Sequence, residues 1–199
     1  SLEQVLKLSN FLKLSIYYFS DVDLIIKQND NNTINLIYNI TLNKKAVVKD
    51  INFAGNKIFK SRLLSSIIIT EEDKFWKFLS KKKYLNEKQI LLDQSLLKNF
   101  YLNEGYYNVK ISQTIANVIQ DNNFNLTYNI NAGKKFFFND IKLNIPSDYD
   151  PNNFEAIKLL IDDMRDKPYS LISINDLLNE IDKIAETKQY EFINASFKE

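Results

Sequence analysis

The sequence has neither cysteine nor histidine, and glycine and proline number only three each in 199 residues. Without cysteine there is no disulfide framework, no thiol nucleophile and no thiolate for a structural metal. Without histidine the commonest general base and metal ligand are both missing, while carboxylate chemistry stays open to an enzyme. No apolar run approaches the roughly 18 residues of a membrane-spanning helix. Neither sign of charge dominates: 26 Lys and Arg face 25 Asp and Glu, and no global field draws nucleic acid or anionic lipid. The abundance of Asn, Lys and Ile beside so little Gly and Pro reads as codon bias of an AT-rich genome. No signal peptide opens the chain, and "SLEQVLKLSNFLKLS" starts directly in an amphipathic pattern, so the chain reads as a fragment of something longer.

What is present is a repeat. "NLIYNITLNKKAVVKDI" (residues 35–51) aligns without a gap to "NLTYNINAGKKFFFNDI" (125–141), at an offset of 90 residues. Between the copies lies one complete set of elements. "VVKDINF" reads as a strand stopped at Gly55-Asn56. Ser61 reads as the cap of a helix carrying Leu63, Leu64, Ile67 and Ile68. A polar and aromatic connection follows. Asn86, with Gln89 three residues on, has the form of a capping box, and its helix puts Ile90, Leu92, Leu96, Leu97, Phe100 and Tyr101 on one broad face. Gly105 ends that helix in the C′ place. "NVKISQTIANVI" reads as a strand and "FNLTYNI" as another, the latter strictly alternating. The order is β-α-α-β-β. The strictest alternation belongs at the centre of a three-stranded sheet, which makes the middle strand an edge.

The flanks continue the pattern. After Gly133, "KKFFFNDIKL" reads as a second first-strand. Asp150-Pro151 caps a helix bearing Phe154, Ile157, Leu160, Ile161 and Met164. Ser173 opens another with Ile174, Leu177, Leu178, Ile181, Ile184 and Ala185, and residues 190–197 read as a strand. At the other end a helix with Leu2, Val5, Leu6, Phe11 and Leu12 precedes a hairpin, "SDVDLIIKQ" and "TINLIYNI". Three modules are expected: the C-terminal half of one (1–43), a complete second (44–131), and a third lacking its last strand (132–199).

Three landmarks stand together: a first strand closed by Gly55-Asn56-Lys57, a second helix ending "NFYLNEGYYNVKI" with Gly105-Tyr106, and the repetition of whole modules, the third beginning beside Gly133. With the tandem β-α-α-β-β order, they resemble the polypeptide-transport-associated (POTRA) repeats of the Omp85 family. "FYLNEGYYNV" after the long "FWKFLSKKKY" connection is most similar to the second repeat of barrel-assembly members, and "YYFSDV" to the end of a first repeat. The resemblance implies an α+β fold of tandem POTRA modules, each a three-stranded mixed sheet covered by two helices. It implies a periplasmic, non-enzymatic arm without cofactor, tethered to the outer membrane through a C-terminal barrel outside this chain. Its implied partners are unfolded outer-membrane β-barrel proteins, accessory assembly lipoproteins and that barrel. The family usually has Gly before the aromatic that follows the second helix. Tyr18 and Gln189 hold that place in the outer modules, so those ends need another cap or a non-Gly residue in a left-handed conformation.

Several residues admit a chemical and a structural reading. Glu71, Glu72 and Asp73 suggest a cation site or paired carboxylates, but a charged loop explains them, and Asp93 and Asp162-Asp163 likewise. Phe75, Trp76 and Phe78 beside lysines suggest base stacking; a plug over the core is the preferred reading. Lys44-Lys45 and Lys134-Lys135 read as solvated linker charges. The edge strands resist dismissal. Val109, Ile111, Gln113 and Ile115 in the second module, and Phe192, Asn194 and Ser196 in the third, lie on strands with few of the charges that blunt an edge. They are the candidate sites for a visiting strand. TamA-like assembly proteins and two-partner-secretion transporters share such modules. A small α+β nucleic-acid-binding module is the rival of another class, but it needs a GxxG loop and a basic face, which the sequence lacks; no nucleic-acid partner is expected.

Overall fold

The computed structural model describes residues 2–14, 20–42, 44–114, 122–190 and 197. They form two compact units, one of Ser1–Leu97 with Ile111–Asn131, the other of Lys98–Lys110 with Ala132–Glu199.

The first unit opens with α1 (Leu2–Leu14) and the expected hairpin, β1 (Asp21–Gln28) and β2 (Ile34–Thr41). These pair antiparallel, Asp21 opposite Thr41 and Gln28 opposite Ile34. The three-stranded sheet follows, from β3 (Val47–Asn56), β4 (Lys110–Thr114) and β5 (Asn123–Asn131). Its order is β3-β5-β4, so the strictly alternating strand is central. Phe124, Leu126, Tyr128 and Ile130 of β5 are all buried, while their odd-numbered neighbours face the opposite side of the pleat. β3 and β5 run parallel, and a bulge at Lys49 puts Val48 opposite Phe124 but Asp50 opposite Asn125. Two helices, α2 (Ser61–Ile67) and α3 (Glu87–Asn103), complete the β-α-α-β-β order. Core side chains include Val48, Phe53, Leu64, Ile68, Ile90 and Leu97.

Local details depart from the sequence reading. Lys60, not Ser61, is the N-cap of α2 and offers no side-chain hydrogen bond; the Ser61 hydroxyl instead accepts from the Lys57 ammonium at 2.8 Å. Asn86 does cap α3, its Oδ1 accepting from Gln89 N–H at 3.1 Å. The Gln89 amide donates to Thr70 Oγ1 at 3.0 Å and the Lys82 carbonyl at 2.9 Å, which turns the box into a clamp on the preceding loop. Leu92 is exposed and Asp93 buried, so the inner face of α3 is rotated from the apolar face read in the sequence.

In the second unit α3 ends in a Schellman motif at Gly105 (φ 92°). Tyr106 N–H donates to the Tyr101 carbonyl at 2.9 Å and Gly105 N–H to that of Leu102 at 3.1 Å. Then come α4 (Glu155–Met164) and α5 (Leu171–Thr187). Asp150 caps a 3-10 turn, Pro151–Phe154, that leads into α4. Ser170, three residues before the expected Ser173, is the cap of α5 and accepts from Ser173 N–H at 3.2 Å. Residues 134–143 do not form the expected strand. A strand is a pairing, and among the described residues Phe136 and Phe138 make only a short ladder with residues 166–169, the Phe136 N–H donating instead to the Gly105 carbonyl. Beyond it Ile141, Leu143 and Ile145 keep the alternation and pack on Phe154, Ile157, Ile161 and Ile181. The strand read over 190–197 lies outside the described residues apart from its two ends.

α5 also ends in a Schellman motif. Tyr190 N–H donates to the Ala185 carbonyl at 3.0 Å and Gln189 N–H to that of Glu186 at 3.2 Å. Gln189 has φ 55°, the left-handed conformation foreseen as one way round the missing glycine; Tyr18 lies outside the described residues. A side chain there costs about 1 kcal/mol. Gln189→Gly is therefore expected to stabilise the chain by about 0.5–1 kcal/mol, read as a higher urea midpoint at unchanged slope.

Candidate strand-docking edge and its sealed counterpart

A sheet ordered β3-β5-β4 has two edges, and the chain treats them differently. The outer edge of β3 over its first half, as far as Ile51, is occupied by residues 71–85. Val48 N–H donates to the Lys83 carbonyl and Asp73 N–H to that of Val48, both at 2.8 Å, and Leu85 N–H reaches Ala46 at 2.9 Å. Val47 and Tyr84 form an antiparallel bridge. Ile51 N–H donates to Glu72 Oε1 at 3.1 Å. The bulge turns Lys49 out of the ladder, and its ammonium meets Asp73 at 2.5 Å, with Lys83 on the other oxygen at 2.7 Å.

The acidic run is thus a set of ion pairs on this seal. Hydrogen bonds from Lys49 and Lys83 hold the Asp73 carboxyl below its usual range. For Glu72 burial pulls upward, but hydrogen bonds from Lys74 and Ile51 N–H outweigh it; for Glu71 those from Ser80 and Lys77 do the same. Among the described residues no group of three or more acids is placed to hold a metal ion.

The seal is anchored from beneath by Asp93 on α3, which is wholly buried, not solvated as its charge suggested. Asp93 Oδ1 accepts from Ile69 N–H at 2.6 Å, both carboxylate oxygens lie 3.3 Å from Thr70 N, and Oδ2 accepts from the Thr70 hydroxyl and, at 2.7 Å, from Tyr128 OH. Burial, then the Asp93 charge and hydrogen bond, pushes the Tyr128 phenol far above its usual range, so it remains a donor. The sequence did carry a signal: Asp93 lies three residues after Ile90 and four before Leu97, on the buried face of α3.

β4 forms the other edge. Val109 is buried immediately before it, Ile111 lies within it half-buried, and the Gln113 backbone belongs to it. Lys110 and Ser112 are exposed. Among the described residues, β5 is the only strand beside it. Ile115, Phe192, Asn194 and Ser196 lie outside the described residues. The landmarks fall elsewhere. Gly55 (φ 82°) stands opposite Ile130, Asn56 ends β3, Lys57 donates to the Phe53 carbonyl at 3.1 Å, and Gly133 has φ 71°. Phe75, Trp76 and Phe78 do not plug the core; all three are exposed.

Comparison with known proteins bears on the fold. The POTRA model, described as a surface antigen variable number repeat, matches residues 46–133. The chain is 25% identical over 169 residues to the outer membrane protein assembly factor BamA of Buchnera aphidicola, which covers 82% of this chain and 26% of that protein. It is 28% identical over 90 residues to BamA of Neisseria meningitidis serogroup B, covering 45% and 11%. The chain thus spans about a quarter or less of the length of these relatives. The crystal structure of Haemophilus influenzae BamA POTRA3-5 superposes over 98% of this chain and 75% of that one, at TM-score 0.51 and 12% identity, a likeness of fold. Residues 46–133 thus match the POTRA family, and the chain is similar over most of its length to the assembly factor BamA.

Proposed function

We propose that this chain is the periplasmic arm of an outer-membrane β-barrel assembly factor, tethered by a C-terminal barrel that follows it in the whole protein. Its modules divide at 43/44 and 131/132. Unfolded outer-membrane β-barrel proteins dock by adding a strand to the outer edge of β4, and accessory lipoproteins use the arm as a scaffold. The observation that supports docking at β4 is the contrast between the edges: residues 71–85 occupy the first half of β3, while β4 has only β5 beside it among the described residues. Backbone pairing makes little demand on the visitor's sequence beyond alternation, as a receiver of many barrel strands requires.

Backbone N–H groups alternate between the two sides of a strand. Ile111 and Gln113 therefore point one way and Ser112 and Thr114 the other. Proline removes the donor. Of Ile111→Pro and Ser112→Pro, one is expected to keep the fold and weaken binding of an alternating β-strand peptide by about tenfold, the worth of one or two backbone hydrogen bonds. The other should break the ladder with β5 and lower stability. Chemical-shift perturbation on the 199-residue chain reads binding and folding together. If both variants fold and bind as the parent does, β4 is not the docking edge.

A further inference from the structure

The seal over β3 carries an outward-facing feature that strand docking does not use. Phe75–Lys77 form a 3-10 turn, and around it Phe75 is 87%, Trp76 59%, Phe78 71% and Leu79 82% exposed. Four large apolar side chains within five positions stand in water, where one or two at random would need no explanation. The turn is braced from within. Lys77 N–H donates to the Lys74 carbonyl at 2.8 Å and Ser80 N–H to that of Lys77 at 3.0 Å. The Ser80 hydroxyl meets Glu71 at 3.0 Å. Lys74 and Lys77 pair with Glu72 and Glu71 at 2.9 and 3.2 Å. The loop's acids are therefore engaged at its base. Lys81 and Lys82, just past the apolar group, are exposed and enter none of the ion pairs among the described residues.

We propose that this tip is a membrane-interface anchor. Phe75, Trp76, Phe78 and Leu79 enter the boundary between headgroups and acyl chains of an anionic phospholipid bilayer, while Lys81 and Lys82 engage the phosphates. The shape favours a bilayer over a protein groove. The apolar residues are neighbours in sequence on a convex turn, without the helical or strand spacing that presents one face to a groove. Aromatic side chains, tryptophan above all, settle at the headgroup level, and lysine stems lie along apolar surface while their charges reach outward. The near-neutral charge of the whole chain is no obstacle, because attraction to a charged surface acts within a Debye length of about 8–10 Å and depends on the lysines nearest the lipid.

Trp76 is the only tryptophan in the chain, so fluorescence reports this site alone. Vesicles of phosphatidylglycerol and phosphatidylethanolamine added to the 199-residue chain are expected to shift Trp76 emission to the blue, and brominated acyl chains to quench it. Vesicles of phosphatidylcholine alone, or salt raised to about 0.5 M, should weaken the effect. Lys81→Glu with Lys82→Glu should lower partitioning by well over tenfold, since each lysine near an anionic surface is worth about fivefold. Phe75→Ser, Phe78→Ser and Leu79→Ser together should abolish the shift and leave the circular dichroism unchanged. The proposal falls if the parent shows no shift or quenching with anionic vesicles, or if the triple serine variant binds as the parent does. It falls equally if Trp76 responds to an unfolded β-barrel protein and not to lipid, which would make the tip a protein contact.

Discussion

Asp93→Ala is expected to lower stability by about 3–5 kcal/mol, the range for removing the acceptor of a buried charged network. The carboxylate accepts from two backbone N–H groups, at Ile69 and Thr70, and from the hydroxyls of Thr70 and Tyr128. Truncation strips an acceptor from all of them at once, and each unsatisfied donor costs about 1–3 kcal/mol unless water enters. Tyr128 cannot relieve the loss by ionising, because burial already holds its phenol far above the usual range. Asp93→Asn is the informative companion. It keeps the volume and one oxygen but turns an amide toward hydroxyls, so it should fall between parent and alanine. Urea unfolding decides: a loss below about 1 kcal/mol for alanine, at unchanged slope, would mean that the network does not hold the 69–70 segment to α3.

Gly55→Ala should be nearly as damaging for a different reason. A Cβ built on Gly55 would sit 2.5 Å from the Ile130 carbonyl oxygen, and the residue has φ +82°. Ile130 is its partner in the central strand, and that backbone cannot retreat without opening the parallel ladder. The strained conformation costs about 1–2 kcal/mol, and the clash raises the expected total to about 3 kcal/mol or more. Gly133→Ala separates the two contributions. Its φ is similar at +71°, but a Cβ there would lie 3.7 Å from its nearest neighbour, in Asn108, so only the conformational cost of about 1 kcal/mol remains. Equal losses at the two glycines would remove the steric argument.

What the sequence disclosed was whatever has a local period or a local cap. The alternation in Phe124–Ile130 put β5 at the centre of the sheet, and Gly105 before Tyr106 announced a helix end that the hydrogen bonds reproduce. The same logic reached Gln189, whose missing glycine required an unusual backbone. What it did not disclose depends on distant segments. The pairing of residues 71–85 with β3 is made largely by backbone groups, which leave no signature in side-chain identity. Asp93 reads as a surface charge until the donors of Thr70 and Tyr128 converge on it. Phe75, Trp76 and Phe78 read as a plug over the core, but nothing in their spacing tells an inward turn from an outward one. Among the described residues the strand expected over 134–143 has no neighbouring strand, and alternation alone identifies only a face.

The seal over β3 also fixes a valency. A sheet with two open edges is bifunctional: it can take a strand on each side, and bridged sheets can grow into a stack. Here the groups of Ala46, Val48 and Ile51 are already engaged by Leu85, Lys83, Asp73 and Glu72, so the β3 side of the sheet is capped over its first half. On the proposed docking at β4, each such sheet would accept one guest there and then stop. Among concentrated unfolded β-strands, a monofunctional sheet ends a chain of pairings that a bifunctional one would propagate.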